Sequence, residues 1–110
     1  MTRPMPNIYF IHYELRPAPH SEDFATTGGA FALCYVQAVD AATAQTAAER
    51  YFEETDWIVV SLENGPDQVE RALYEDEPDM LDAYDEAMAH GECFLFHLWP
   101  PGVGGGGVLH

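Results

Sequence analysis

The chain contains no lysine, and its only fixed cations are four arginines. Without lysine there can be no Schiff base, no pyridoxal-phosphate lysine and no Walker-type phosphate loop. Four arginines against a net charge of −15 also argue against nucleic acid, whose affinity comes largely from neutralised phosphates. Anionic membrane surfaces are disfavoured for the same reason. Cysteine is scarce: Cys34 and Cys93 stand alone in apolar surroundings and form no C-x-x-C pair. That usage fits a reduced, cytoplasmic protein better than a disulfide scaffold. The two serines, Ser21 and Ser61, lie outside any G-x-S-x-G pattern, and no zinc spacing or EF-hand loop occurs. No apolar run approaches the ~20 residues of a membrane span. The first apolar run, residues 8–15, is interrupted by His12 and Glu14 and reads as a strand rather than a signal peptide.

What is present is a lopsided distribution of acids. Residues 1–48 carry four acids against two arginines, and residues 49–110 carry fifteen against two, so the net charge passes from −2 to −13. Seven of the twelve positions 75–86 are acidic. High-GC coding bias, common in bacterial genes, accounts for missing lysine, but it does not cluster acids. Such a field bears on partners more than on fold. At 110 residues, 47% hydrophobic and 13% aromatic, the chain has material for one well-filled core. A single α/β domain is expected over residues 1–101, followed by a flexible glycine-rich tail over 102–110.

Periodicity gives the elements. Residues 8–15 and 30–39 read as strands, the second apolar on both faces. Asp40 caps a helix to about Glu54, with Ala41, Ala44, Ala48, Tyr51 and Phe52 at helical spacing. Residues 57–62 form a third strand, Asn64-Gly65-Pro66 a turn, and Pro66 opens a short helix through Leu73. Pro78 opens a second long helix with Met80, Leu81, Tyr84, Ala87 and Met88 in its stripe and Gly91 beyond its end. Residues 93–99 are the last strand. The order β-β-α-β-α-α-β suggests an α+β two-layer sandwich, one four-stranded sheet with the helices on one face, and a possible relative of ferredoxin-like folds. The first, second and last strands are apolar on both sides, so a sheet face left open needs cover, either from a second copy in a homodimer or from a protein partner.

Two sets of residues are candidates for function. The first is an acidic surface made by Glu70, Glu75, Asp76, Glu77, Asp79, Asp82, Asp85 and Glu86, with Tyr74 and Tyr84 as aromatic anchors. Asp79–Asp82, Asp82–Asp85 and Asp82–Glu86 are like-charge pairs one helical turn apart, which weaken a helix, so a reason beyond stability is indicated. This surface suits a basic protein partner, and the leading expectation is a non-enzymatic binding module. In charge and size, though in no motif, the chain is similar to small acidic inhibitors and immunity proteins that mask basic toxins. The second set is His12, Glu14 and His97, which could serve as acid/base or ligand groups on the open sheet face if they converge. A third possibility is a structural homo-oligomer whose acids only maintain solubility. No cofactor and no metal site is expected.

Overall fold

The computed structural model describes residues 7–101; the N-terminal six residues and the glycine-rich segment expected to be flexible lie outside the described residues. Four strands and two helices follow one another as β1 (Asn7–Pro17), β2 (Gly29–Ala38), α1 (Ala41–Glu54), β3 (Trp57–Val69), a single 3-10 turn (Arg71–Tyr74), α2 (Pro78–His90) and β4 (Glu92–Trp99). The strands make one sheet in the order β3-β1-β2-β4, and every neighbouring pair is antiparallel. The α+β class and the element order are those read from the sequence.

Local signals explain most boundaries. Asp40 has extended backbone angles and its carboxylate accepts from the Thr43 N–H at 2.8 Å, satisfying one of the first-turn donors of α1. Those hydrogen bonds hold the Asp40 carboxyl below its ordinary pKa. Pro78 occupies the first turn of α2, where its missing N–H costs nothing. Gly91 ends that helix at φ 98°, a left-handed value that a side chain resists, and its N–H returns to the Ala87 carbonyl at 2.8 Å.

The third strand departs from the sequence reading. Asn64-Gly65-Pro66 is not a turn, and no helix runs from Pro66; β3 continues through them to Val69. Thirteen residues of β3 lie against residues 8–17 of β1, and three register shifts take up the three extra residues. These bulges are how an edge strand carries Gly and Pro and still stays paired. They also break the flat edge that would otherwise template another strand, which matters because Val59, Val60 and Leu62 are exposed there.

The helices lie on opposite faces of the sheet, not together on one. Tyr9, Ile11, Tyr13 and Leu15 of β1 share a cluster with Ala32, Cys34 and Val36 of β2 and with Ala44, Ala48 and Phe52 of α1. The alternate residues Ile8 and Tyr35 pack instead with Val69, Tyr74, Ala83 and Ala87, the last two from α2. Connectivity accounts for the split. The β2-α1-β3 crossover passes over β1 on one face, and the return from edge strand β3 to edge strand β4 takes the face that α1 leaves free. This arrangement also explains why the inner strands are apolar on both sides. The α1 face is aromatic: Tyr51 stacks on Phe94 at 4.1 Å, and Trp57 reaches Phe96 at 5.8 Å across the small residues of β2. Tyr13, fully buried, donates its hydroxyl to Glu49 at 3.0 Å.

Candidate functional site

The α2 face is only partly covered. The helix and the 3-10 turn pack over Ile8, Phe10, Tyr35, Cys93 and Leu95, whereas Phe31 and Trp99 stand outside that cluster. Phe31 meets His12 and Trp99 edge-on, each at 5.1 Å, so a row of half-buried rings continues beyond the α2 cluster. A Cβ at Gly29 would come within 2.5 Å of the Trp99 ring, so glycine there lets the indole lie against the strand.

Between this row and α2 runs a groove of about 550 Å³. Leu33, Leu95 and Met80 give it an apolar lining, Glu77, Asp79 and Asp82 stand along the helix side, and His97 lies on the strand side. Strand alternation puts Leu33 and Leu95 on this face, and the first turns of α2 bring their acids to it. Among the described residues, Glu77, Asp79 and Asp82 have no ion-pair partner.

The other members of the acidic surface differ. Glu70, Glu75 and Asp76 are exposed around the 3-10 turn. Asp85 is engaged: Arg71 donates to it through Nε at 2.9 Å and through a terminal nitrogen at 3.1 Å. The guanidinium holds the Asp85 carboxyl below its ordinary range and raises its own pKa in return. Glu86 lies 3.4 Å from His90, one turn along α2. Tyr74 is not an exposed anchor. It is 7% accessible and packs edge-on against Tyr35 at 5.6 Å, filling the space between the turn and β2. Tyr84 is half-buried beside it at 6.2 Å.

His12, Glu14 and His97 do share the α2 face, but the register keeps them apart. Glu14 pairs with Phe31, and Phe31 pairs with His97, so a phenylalanine strand position lies between acid and base. Two strand spacings separate Glu14 from His97 by about 10 Å, and His12 is about 6.6 Å from Glu14 along β1. The His12 Nε2 atom is buried without a hydrogen-bond partner. Proton transfer needs groups within about 3 Å of a common reacting atom, which this spacing does not supply directly.

The thiols are separate from the groove chemistry. Burial pushes the Cys34 pKa well above its ordinary value, with the Glu92 charge adding to it, and Cys93 is raised in the same direction by burial first. Thiolate is the reactive form, so both react slowly when the protein is folded. At pH 8, a thiol-specific chromogenic reagent should titrate Cys34 only after denaturant is added, with half-buried Cys93 reacting first. Rapid labelling of both thiols in buffer would contradict this packing.

Sequence reasoning missed the groove's lining, although its signal was present: Leu33 alternates with Phe31 and Tyr35, and Leu95 with His97, on strands already seen to be apolar on both sides. No family model, no characterised protein and no solved structure matches the chain significantly. Among the described residues, no helix is long and apolar enough to cross a membrane, and no three His, Cys, Asp or Glu side chains gather as a metal site would require.

Proposed function

We propose that this protein is a non-enzymatic binding module that docks a basic protein partner, in the manner of an inhibitor or immunity-type protein. The observation that carries the reading is the combination of Glu77, Asp79 and Asp82, none of them ion-paired among the described residues, with an apolar groove floored by Leu33 and Leu95. An apolar centre bordered by uncompensated charge of one sign is the form of a surface that steers an oppositely charged partner and then excludes water from the contact. Glu70, Glu75 and Asp76 extend the field beyond the groove. Nucleic acid and anionic membrane are disfavoured as partners by the same charge, and two unpaired thiols suit a reducing, cytoplasmic setting.

The His12, Glu14 and His97 alternative is weaker because Phe31 intervenes between acid and base. Self-association keeps one supporting feature, the half-buried His12–Phe31–Trp99 row outside the α2 cluster, although a helix occupies part of each sheet face.

The test is capture from the native source at about 0.05 M salt and elution at about 0.5 M, where the Debye length shrinks from about 14 Å to about 4 Å. The expected result is a basic protein that leaves with salt. A neutral or acidic partner, or one retained at the higher salt, would sink the reading.

A further inference from the structure

The two edges of the sheet are not alike. On β3, three register shifts and Gly65-Pro66 break the edge, and Glu63 and Asp67 put charge along it. β4 has none of these devices. It pairs with β2 from Glu92 to Trp99 without a register shift, and from Cys93 onward it includes no glycine, proline, arginine or acid. The Gly91 carbonyl accepts from the Gln37 N–H at 2.8 Å, and the Trp99 carbonyl from the Gly28 N–H at 2.7 Å, so both point at the β2 side. Backbone groups alternate along an antiparallel strand, so those of Glu92, Phe94, Phe96 and Leu98 point away from β2. Among the described residues no strand takes them. An edge that is regular, apolar and open templates a further strand. We infer that β4 receives an added strand from the partner, an extended segment that alternates basic and apolar residues. This rests on the reading of a basic protein partner and states how that partner is held.

The acids of α2 decide what that strand carries. Asp85 and Tyr84 turn toward the 3-10 turn, where they meet Arg71 and Tyr74. Ala83 and Ala87 face the sheet. At about 3.6 residues per turn, Asp79, Asp82 and Glu86 therefore fall on the opposite flank, toward β4. Two observations agree: Asp79 and Asp82 share the groove with Leu95 and His97, and the Glu86 charge adds to the rise in the Cys93 pKa. Phe96 also lines the groove although its ring packs near Phe52 on the α1 face, so the groove reaches the β4 backbone. A strand added beside β4 lies about 4.8 Å farther out, and its alternate side chains emerge on the α2 face about 6.8 Å apart. The acidic flank from Asp79 to Glu86 is about 10 Å long at roughly 1.5 Å per residue, so two basic residues at alternate positions span it. The intervening side chains fall beside Phe94, Phe96 and exposed Leu98, where apolar groups suit. A second copy of β4 would bring no fixed cation to the acids, so a different chain is favoured over self-pairing.

The probe is an end-blocked peptide of four arginine-valine repeats, titrated into the full chain and followed by NMR hydrogen exchange. In the free protein the Phe94, Phe96 and Leu98 amides should exchange rapidly, and saturating peptide should slow them about tenfold or more as they enter a ladder. Methylating the valine nitrogens, which face β4, should weaken binding about tenfold or more, the scale of losing two main-chain hydrogen bonds. Methylating the arginine nitrogens, which face solvent, should change it little. Leu98→Pro deletes one outward donor at a residue 60% exposed and should weaken the peptide about fivefold, while Leu98→Ala does not. A peptide that binds but protects none of these amides, or that tolerates valine methylation, overturns strand addition and leaves the basic-partner reading standing. Equal binding of a threonine-valine peptide overturns the proposal and counts against that reading too. Amides already protected in the free monomer would assign the edge to another segment of this chain. Protection that appears together with a dimer mass in sedimentation would assign it to a second copy. Either result overturns the proposal, as does the absence of saturable binding.

Discussion

Phe52→Ala should remove about 3–5 kcal/mol of unfolding free energy, the usual cost of deleting a buried phenylalanine. A domain of this size has roughly 5–15 kcal/mol in total, so the variant stands at the margin of folding. The local argument is specific. Phe52 is 1% accessible and is surrounded by Tyr13 at 5.2 Å, Phe94 at 5.7 Å, Tyr51 at 6.0 Å and Phe96 at 6.4 Å. Ala32, Ala44 and Ala48 share its cluster and have no atoms to spare for the hole. Rigid rings collapse poorly into a void, so the cavity cost adds to the lost transfer energy. Urea unfolding followed by circular dichroism measures the loss. Exposed Val39→Ala, at 55% accessibility, should move stability by no more than about 0.5 kcal/mol. Ile8→Val, in the cluster on the other face, should add to Phe52→Ala within about 0.5 kcal/mol, because the two side chains share no cluster. A loss below about 1 kcal/mol for Phe52→Ala would mean that α1 does not pack on this face.

How far the chain could be read in advance depended on whether a signal was local. Asp40, Pro78 and Gly91 each act within one helical turn, so both long helices were legible to within a residue. The bulged half of β3 was not, because Asn64-Gly65-Pro66 favours a turn in isolation and is held in the strand only by pairing with β1. Tyr74 was misjudged for a related reason: its neighbours in sequence are acidic, but its burial is decided by Tyr35, thirty-nine positions earlier. The layering was open to inference. Ile8 and Phe10 on one side of β1, and Ile11 and Tyr13 on the other, already required cover on both faces. Reading the helices onto one face left that requirement to a partner, when the chain meets much of it itself. The candidate site was half legible. The acids were visible as a run, whereas the groove beside them needed the register that sets Leu33 next to Leu95.

Neutralising the acids on the groove should strengthen the fold and weaken the docking, and opposite signs are what separate a binding surface from a merely solvated one. Asp82 makes the clearest case. It lies one turn from Asp79 and from Glu86, and such like-charge pairs cost a helix about 0.2–0.5 kcal/mol each. It is also beyond the first turn of α2, where Asp79 still gains from the helix dipole. Asp82→Asn should therefore raise the urea midpoint of the free protein slightly. The combined Glu77→Gln, Asp79→Asn and Asp82→Asn variant should hold or gain stability, since among the described residues none of the three has an ion pair to lose. Its association with the basic partner should slow by about tenfold or more at low salt, because steering by a cluster of charges accelerates encounter by roughly 10–1,000-fold. Stopped-flow association rates at two salt concentrations read this directly, and the variant should show a shallower salt dependence as well as a lower rate. Stability that rises with an unchanged association rate would assign the acids to solubility alone. A rate that falls equally for Glu53→Gln, an exposed acid on α1 against the other sheet face, would make net charge rather than this groove the cause.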